Sequence, residues 1–273
     1  MIITWSKGVA DYNMAEEILV ELAAMMNRHP WWRARAKLAL AILSEAGIHP
    51  PARILDAGCG SGVMLECLEQ RGYTVCGLDI ARKSLERIDR PHRMLVEADL
   101  TNCEPPDTES FDAILLLDVL EHLDDEKVVL RNVSRLLKPG GLAVISVPAR
   151  PDLFSQFDEI QGHRRRYVPE SLRCAFRDSG LQVKELMWWG SWLVPTLSMQ
   201  RKHRKGLPTE AVSTTYMRYL RTPPWPATLF IRLAFYWEHG RTLRRKNRTG
   251  TSLVALASPD PIRGLHWPLS IRN

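Results

Sequence analysis

The sequence predicts an α/β protein with a mostly parallel, seven-stranded sheet and helices on both of its faces. Between residues 53 and 148, short apolar runs alternate with amphipathic helical segments. Strands that are apolar along their whole length are buried on both faces, which is typical of parallel sheets covered by helices. A chain of 273 residues can bury one sizeable core, so we expect one domain with additions.

The boundaries of the elements follow from changes of hydrophobic period along the chain. Residues 1–50 form a predicted N-terminal helical cap, with helices at 14–26 and 31–47. Residues 51–189 form the predicted α/β core, with strands at 53–58, 74–80, 93–99, 111–118, 141–148 and 181–188. Its helices are expected to begin near residues 61, 82, 124 and 169. Residues 190–250 form a predicted helical insertion before the last strand, which we expect to be a lid over the acceptor. Residues 251–273 contain the last strand, at 251–257, and a C-terminal tail.

The cysteines and the absence of targeting patterns indicate a cytoplasmic protein. The five cysteines are odd in number and form no C-x-x-C pair, which argues against a disulfide framework and against a zinc site. The first residues lack the pattern of a secretory signal, and no run of about 18 apolar residues occurs. We therefore expect a soluble protein of a reducing compartment.

The net charge of +6 is concentrated in one late segment. Residues 201–248 contain twelve lysines and arginines but only two acids, Glu210 and Glu238. Such a segment suits a phosphate, a nucleic acid or an anionic membrane surface, and equally a solvated basic face. Its last helix, predicted from about residue 227 to residue 245, has a broad apolar face followed by basic residues. That pattern also suits peripheral contact with the inner membrane surface.

A glycine-rich turn follows the first predicted strand of the core. In "ILDAGCGSG", Gly58, Gly60 and Gly62 let the backbone approach a ligand closely, and amides at the start of the next helix face it. A dinucleotide-binding turn needs its third glycine where this chain has Val63. Asp56 precedes the turn, where a carboxylate repels a pyrophosphate but attracts a cation. The pattern therefore favours S-adenosylmethionine (SAM) over NAD.

Five motifs of the core resemble those of class I SAM-dependent methyltransferases, whose sheet is Rossmann-like. The motifs are "ILDAGCGSG", "GLDI", "EADL", "FDAILLLDVLEHL" and "LLKPGGLAVISVP", which match in order and spacing over residues 53–148. More loosely, the whole chain is similar to a bacterial branch with the segments "HPWWRAR", "GHRRRY" and "GTSL". The resemblance implies that SAM is the cofactor. It also implies a set of cofactor-binding residues, namely Asp56, Gly58, Cys59, Gly60, Gly62, Asp79, Ile80, Asp99, Leu100, Leu117, Asp118, Trp32 and Arg35.

The candidates for a catalytic acid or base follow two neighbouring strands. Glu121 and His122 lie in "DVLEH", and His163 lies in "GHRRRY". A base is needed only where the acceptor loses a proton, because methyl transfer from a sulfonium is otherwise a matter of positioning. The D-x-x-E-H string with a later histidine also resembles the metal sites of some RNA and quinone-pathway methyltransferases. Hard-cation sites usually contain more carboxylates, so we expect catalysis without a metal rather than with magnesium.

The expected acceptor is small or lipid-like and anionic, for example a prenyl or polyprenyl diphosphate. The arginines of "GHRRRY" suit phosphate recognition, and tryptophans near the insertion add apolar surface. The predicted acceptor-binding residues are Arg164, Arg165, Arg166, Tyr167, Trp188 and Trp192. One alternative is an RNA methyltransferase, which is disfavoured because no RNA-binding module is evident. A second alternative is a protein that binds SAM without turnover. The acceptor atom and the oligomeric state are left open by the sequence.

Overall fold

The computed structural model describes residues 2–5, 25–26, 29–102, 111–204 and 223–260, with only the backbone described at 200–204. The predicted helix at 14–26 lies outside these residues except for its last two positions. Most of the predicted C-terminal tail also lies outside them.

Eight strands form one sheet. They are β1 Ile2–Thr4, β2 Arg53–Ala57, β3 Thr74–Asp79, β4 Met94–Glu97, β5 Phe111–Leu117, β6 Leu137–Pro148, β7 Leu181–Trp189 and β8 Ser252–Pro259. Their spatial order is β1-β4-β3-β2-β5-β6-β8-β7. β8 pairs antiparallel with both of its neighbours, and the other pairs are parallel. The predicted mostly parallel sheet is thus confirmed.

Eight α-helices flank the sheet in the described part of the chain. They are α1 Pro30–Glu45, α2 Val63–Glu69, α3 Arg82–Ile88, α4 Glu126–Leu136, α5 Gln156–Ile160, α6 Pro169–Ala175, α7 Val194–Arg204 and α8 Trp225–Leu243. Several begin at residues that favour helix starts. α1 and α6 have proline at their first position, and the Asp125 carboxylate accepts a hydrogen bond from the amide of Lys127 at the start of α4.

Several elements differ from those that the sequence predicts. The eighth strand, β1, pairs with β4 at the edge of the sheet, and three residues are too few to show a hydrophobic period. β6 begins at Leu137, because the "KPGG" segment continues the strand instead of ending the preceding helix. α8 begins and ends two residues earlier than predicted.

Each face of the sheet has its own apolar core. Along β5, Ile114 and Leu116 belong to one core, whereas Ala113, Leu115 and Leu117 belong to the other. Successive side chains of a strand point to opposite faces, so an apolar run such as β5 supplies both cores. α4 and α6 cover the first core, and α1, α2 and α8 cover the second.

The strand order reverses between β2 and β5. From β2 the chain proceeds outward through β3 and β4 on one side, and it then returns to β5 and β6 on the other. In open parallel sheets the crevice beyond the carboxyl ends of the strands, at such a reversal, is where ligands bind. The fold therefore places the glycine-rich turn after β2 beside the end of β5.

Hydrogen bonds of a buried carboxylate fix the base of the insertion between β7 and β8. Glu238 of α8 is fully buried, and its two oxygens accept hydrogen bonds from the backbone amide and the hydroxyl of Ser191, both at 2.8 Å. Asn247 donates to the same carboxylate at 2.8 Å and to the carbonyl of Trp188 at 3.2 Å.

Among the helices of the described ranges, none is long and apolar enough to cross a bilayer.

Candidate active site

A cavity of about 450 Å³ lies at the carboxyl ends of β2, β5 and β6. The glycine-rich turn forms one wall, α1 forms another, and residues near the start of α7 close it from a third side. Of the residues predicted for the site, those that line this cavity are Trp32, Arg35, Asp56, Gly58, Cys59, Gly60, Leu117, Asp118, Glu121, His122, His163 and Arg166.

The glycine-rich turn is held against β3 by backbone hydrogen bonds. The amides of Gly58 and Cys59 donate to the carbonyl of Leu78, at 2.7 and 3.0 Å. Gly58 has φ +85°, and a Cβ atom built there meets Cγ2 of Val119 at 2.6 Å. Only glycine fits this position without strain. Gly62, at φ +75°, is the N-cap of α2, so the turn leads directly into a helix N-terminus.

Asp56 is a buried acid on the cavity wall. It is 3% exposed, and burial raises the pKa of its carboxyl to about 7, an effect that Arg35 opposes and Asp79 reinforces. A cation bound in the cavity favours the ionised form of such a carboxyl. This arrangement suits the ammonium and sulfonium groups of SAM better than a pyrophosphate.

Asp79 and Asp99 lie at the ends of β3 and β4, where the sequence predicts them. In the structure the Asp79 carboxylate accepts hydrogen bonds from the amides of Gly60 and Ala81, at 2.7 and 2.9 Å. Asp99 accepts from the amide and hydroxyl of Thr101, at 2.8 and 2.6 Å. These two acids stabilise the turns that follow their strands. Contact of Asp79, Ile80, Asp99 and Leu100 with the adenosine part of SAM stays a prediction.

Arg35 connects α1 to the end of β5. Its guanidinium forms an ion pair with Asp118, donates to the carbonyl of Leu117 at 3.1 Å and lies 5.1 Å from the ring centre of Trp31. Asp118 has φ 60° and accepts a second hydrogen bond from the Ser146 hydroxyl at 2.9 Å. The sequence predicts that Arg35 meets the carboxylate of the cofactor. In this structure its ionic partner is a carboxylate of the protein.

Two histidines and two acids meet at the far wall of the cavity. Nδ1 of His163 lies 3.0 Å from Oδ1 of Asp158, and its Nε2 lies 3.9 Å from Oε1 of Glu121. The rings of His122 and His163 are 4.9 Å apart at their centres and meet edge to face. Asp158 is fully buried, and Arg166 donates two hydrogen bonds to it, at 2.7 and 3.1 Å. The Asp158 carboxylate therefore orients the His163 ring.

The ionisation of this group is set mainly by burial. Burial, and then the nearby Asp118, raise the pKa of the fully buried Glu121, which favours its protonated form. Burial, and then His163, lower the pKa of His122 to about 4, so His122 is neutral at pH 7. Burial also opposes ionisation of Asp158, but hydrogen bonds from His163 and the charge of Arg166 lower the pKa of Asp158 overall.

Both carboxyl oxygens of Glu121 and Nδ1 of His122 are buried without a hydrogen-bond partner among the described residues. Potential ligand atoms of Glu121, His122 and His163 lie within 4.8 Å of one another. Two imidazoles and one carboxylate suit a transition metal better than magnesium. Metal-free catalysis stays a prediction.

Comparison with known proteins assigns this chain to a family. A family profile described as a methyltransferase domain matches residues 31–186, which is more than half of the chain. The chain belongs to this methyltransferase family. It is a SAM-dependent methyltransferase, and the fold and cofactor expected from the glycine-rich turn are confirmed.

Relatives and solved structures extend the comparison. The ubiquinone biosynthesis O-methyltransferase of Pseudomonas syringae pv. tomato is 26% identical over 190 residues, which cover 58% of this methyltransferase and 81% of that protein. The protein of the same name from Xanthomonas oryzae pv. oryzae is 32% identical over 157 residues, which cover 50% of this chain and 63%, less than two thirds, of that protein.

One solved structure shows the same fold over almost the whole chain. It is a chain from the complex between the Haloferax volcanii Trm112 methyltransferase activator and a methyltransferase, with a TM-score of 0.59 and 21% identity. The match covers 92% of this methyltransferase and 99% of that chain.

The three arginines after His163 form ion pairs within the methyltransferase, and their predicted contact with an acceptor stays a prediction. Arg164 pairs with Asp124 and donates to the carbonyl of His122 at 2.8 Å. Arg165 donates to Glu126 and to the carbonyl of Leu123, at 2.8 and 2.9 Å. Neither arginine is among the residues that line the cavity. These contacts tie Arg164 and Arg165 to the loop before α4.

Of the three aromatic residues predicted to bind the acceptor, Tyr167 is buried, and Trp188 and Trp192 are partly buried. The hydroxyl of the buried Tyr167 donates to the carbonyl of Leu120 at 3.2 Å. Trp188 packs against the first core. The ring of Trp192 meets that of Phe235 edge to face, 5.2 Å away at their centres. None of the three is among the cavity-lining residues, and their contact with an acceptor stays a prediction.

Trp31 and Asp158 are among the residues of the site that sequence reasoning missed. Trp31 lines the cavity beside Trp32 and lies under Arg35, whereas the sequence favoured Trp32 alone for the cofactor. Asp158 orients His163, although the sequence offered a signal for it. Ser155 and Asp158 are three residues apart and form the capping box of α5, which predicts a fixed Asp158 carboxylate.

Proposed function

We propose that this methyltransferase transfers the methyl group of SAM to a hydroxyl oxygen of a small, lipid-like acceptor. The observation that carries the proposal is the Asp158–His163 pair in the cavity wall, 3.0 Å from oxygen to nitrogen. A histidine whose Nδ1 is held by a carboxylate presents Nε2 as a base, which a hydroxyl acceptor needs and a neutral amine does not. Two relatives bear the name ubiquinone biosynthesis O-methyltransferase, which agrees with an oxygen acceptor.

In the proposed reaction His163 accepts the hydroxyl proton while the acceptor oxygen attacks the methyl carbon in line with the carbon–sulfur bond. An oxygen–carbon bond forms and the carbon–sulfur bond breaks. The bonding pair stays on sulfur, and the products are a methyl ether and S-adenosylhomocysteine. Asp158 stabilises the imidazolium, and its own charge is balanced by Arg166. The proton then leaves His163 for solvent.

Glu121 and His122 complete the proposed catalytic wall. Burial raises the pKa of Glu121 and lowers that of His122, which favours the neutral form of each and leaves little charge beside His163. Both side chains line the cavity, and Glu121 has no partner among the described residues for either oxygen. We propose that they form hydrogen bonds to the acceptor.

The apolar side of the cavity supports a lipid-like acceptor. Trp31, Trp32, Leu193 and Leu197 line it together with Met64. A prenyl or polyprenyl diphosphate now has weaker support, because Arg164 and Arg165 are paired elsewhere and Arg166 is bonded to Asp158. A hydroxylated acceptor whose anionic group is a carboxylate, held by Arg166 and taken from a membrane by peripheral contact, stays within the proposal.

The test uses methyl-labelled SAM, the purified methyltransferase and three acceptor pools: hydroxylated prenyl phenols, prenyl diphosphates and total RNA. We expect label in an organic-soluble ether from the phenols, and a loss of about 10² to 10⁴ in kcat for His163→Gln with SAM affinity unchanged. The matched control is His49→Gln, a histidine outside the cavity. Label that becomes organic-soluble only after phosphatase treatment, or that sits in nuclease-sensitive polymer, contradicts the proposal, as does SAM binding without any transfer.

A further inference from the structure

One face of α8 is apolar and open to solvent. Nine large apolar side chains are exposed in the described ranges, and six of them belong to this helix. They define the α8 face and are Trp225, Leu229, Phe230, Leu233, Tyr236 and Trp237, with exposed fractions of 44 to 80%. Monomeric soluble proteins rarely expose a contiguous apolar patch of this kind without using it.

The α8 face is a regular stripe, and the opposite side of the same helix is fixed. Trp225, Leu229, Leu233 and Trp237 recur every four residues, a spacing that places them on one side of a helix. On the other side Phe235 is buried and stacks on Trp189, and Glu238 and Thr242 are buried with hydrogen bonds to the end of β7. The helix is therefore held in place with its apolar stripe turned outward.

We propose that the α8 face is a docking surface for an anionic lipid bilayer. Trp225, Tyr236 and Trp237 have apolar rings with a polar atom, the type of side chain that is enriched at the boundary between membrane and water. Arg232 is exposed within the stripe, and Arg244 and Lys246 are exposed at its C-terminal end. The single acid of α8, Glu238, is buried. Apolar insertion and attraction of lipid phosphates thus act on the same side.

The charge pattern favours a lipid surface over a second copy of this chain. A two-fold symmetric contact through the α8 face brings the same patch of both copies together. Arg232 of each copy then enters an apolar interface that contains no acid from α8 to balance it. A bilayer of anionic lipids supplies that balance through its headgroups.

The α8 face also adjoins the cavity through packed aromatic rings. Phe230 of the face meets Trp192 with ring centres 6.3 Å apart, and Leu193, the next residue, lines the cavity. On the buried side of α8, Phe235 stacks on Trp189, which lies 5.6 Å from the cavity-lining Trp31. This inference deepens the proposed function, because a lipid-like acceptor reaches the cavity from the bilayer along apolar surface.

The test is flotation of the full chain with vesicles of phosphatidylcholine alone or mixed with phosphatidylglycerol. We expect the wild type to float with the anionic vesicles. The triple variant Phe230→Ser, Leu233→Ser and Trp237→Ser is expected to lose at least tenfold in partition coefficient, whereas the control Val168→Ser, an exposed apolar residue outside α8, keeps it. Arg244→Glu with Lys246→Glu is expected to weaken binding to anionic vesicles only.

The controls separate misfolding and the proposed chemistry from membrane docking. Unchanged SAM affinity shows that each variant is folded. The inference is overturned if the wild type stays at the bottom of the gradient, away from the anionic vesicles. It is also overturned if the triple variant floats like the wild type. A dimer that the triple variant abolishes overturns it as well. Transfer to a water-soluble hydroxyl acceptor without vesicles tests the proposed function alone, so either idea can fail while the other stands.

Discussion

Oδ1 of Asp158 lies 3.0 Å from Nδ1 of His163, and the same carboxylate accepts two hydrogen bonds from Arg166. The arginine that the sequence favours for binding an acceptor phosphate thus balances the acid that orients a candidate base. A buried carboxylate with two such partners stays ionised and fixed, and it restricts His163 to one ring orientation facing the cavity.

Asp158→Asn is expected to reduce both stability and turnover. The amide leaves the Arg166 guanidinium without an ionic partner among the described residues. Removal of one member of a buried pair costs about 3 to 5 kcal/mol in the free energy of unfolding. A reoriented His163 is expected to lower kcat by about 100-fold. Urea unfolding and steady-state kinetics measure the two effects. Asp152→Asn, at an exposed ion pair with Arg150, is the control and should change each little. Full kcat in a destabilised Asp158→Asn shows a structural role only.

SAM affinity is expected to rise with pH through about 7. Burial raises the pKa of Asp56 to about this value, and a bound cation favours the ionised carboxylate, so binding releases a proton. Calorimetry at pH 6, 7 and 8 in buffers of different ionisation enthalpy measures the release. Asp56→Asn should bind SAM more weakly and with a smaller pH dependence. An unchanged dependence in this variant excludes Asp56 as its source, and Asp89→Asn serves as a remote control.

Gly58→Ala is expected to reduce the stability of the fold far more than Gly60→Ala. A Cβ atom at position 58 meets Val119 at 2.6 Å, whereas one at position 60 meets nothing within 4 Å. The backbone preference costs about 1 kcal/mol at either position, and overpacking adds about 1 to 3 kcal/mol at position 58. Thermal unfolding and SAM titration compare the two variants. Val119→Ala should recover part of the loss, and equal effects of the two alanines exclude the steric explanation.

His239→Gln is expected to reduce the loss of unfolding free energy that occurs as pH falls below about 6.5. Burial, and then Lys37, lower the pKa of His239 to about 4. The unfolded chain therefore binds a proton at higher pH than the folded one, and His239 makes stability fall as pH decreases from about 6.5 to 4. Chemical unfolding at pH 7 and pH 5 should show a smaller decrease in the variant. Asp56, whose pKa is raised, makes stability increase as pH falls. Because this contribution is the same in the wild type and in His239→Gln, it cancels when the two are compared. Equal decreases contradict the expectation.

Treatment with a chelator is expected to leave methyl transfer unchanged. Glu121, His122 and His163 lie close enough to bind an ion, but proton transfer to an oriented His163 requires none. Activity is measured after dialysis against EDTA and again after addition of zinc, manganese or magnesium. Loss of activity with recovery by one of these ions shows that the cluster is a metal site.

The sheet and the glycine-rich turn were predictable because their signals are local. Apolar runs such as β5 and β6 fix the strands, and the φ angles required at Gly58 and Gly62 can be inferred from the glycine spacing alone. β1 was not predictable, since a three-residue edge strand has no period of its own. Its pairing with β4 spans more than 90 residues of sequence.

The sequence predicted which charged residues lie near the site better than it predicted their ion-pair partners. "GHRRRY" shows three arginines but not their partners, and Asp124, Glu126 and Asp158 are brought to them by loop geometry. Arg35 is a similar case, because its pairing with Asp118 depends on how α1 packs across the end of β5. Which acid neutralises which base is a property of tertiary structure.

The insertion leaves and re-enters the sheet at one narrow neck. Trp189 pairs with Ser252, a Cβ atom at Gly250 would meet the carbonyl oxygen of Trp189 at 2.3 Å, and Glu238 ties α8 back to Ser191. Because the two ends are already joined, the entropy of closing the segment changes only slowly with its length. Selection can therefore lengthen, shorten or exchange residues 190–250 while the SAM-binding α/β core stays unchanged. Diversification of acceptor range among descendants of this chain should accordingly be concentrated between residues 190 and 250.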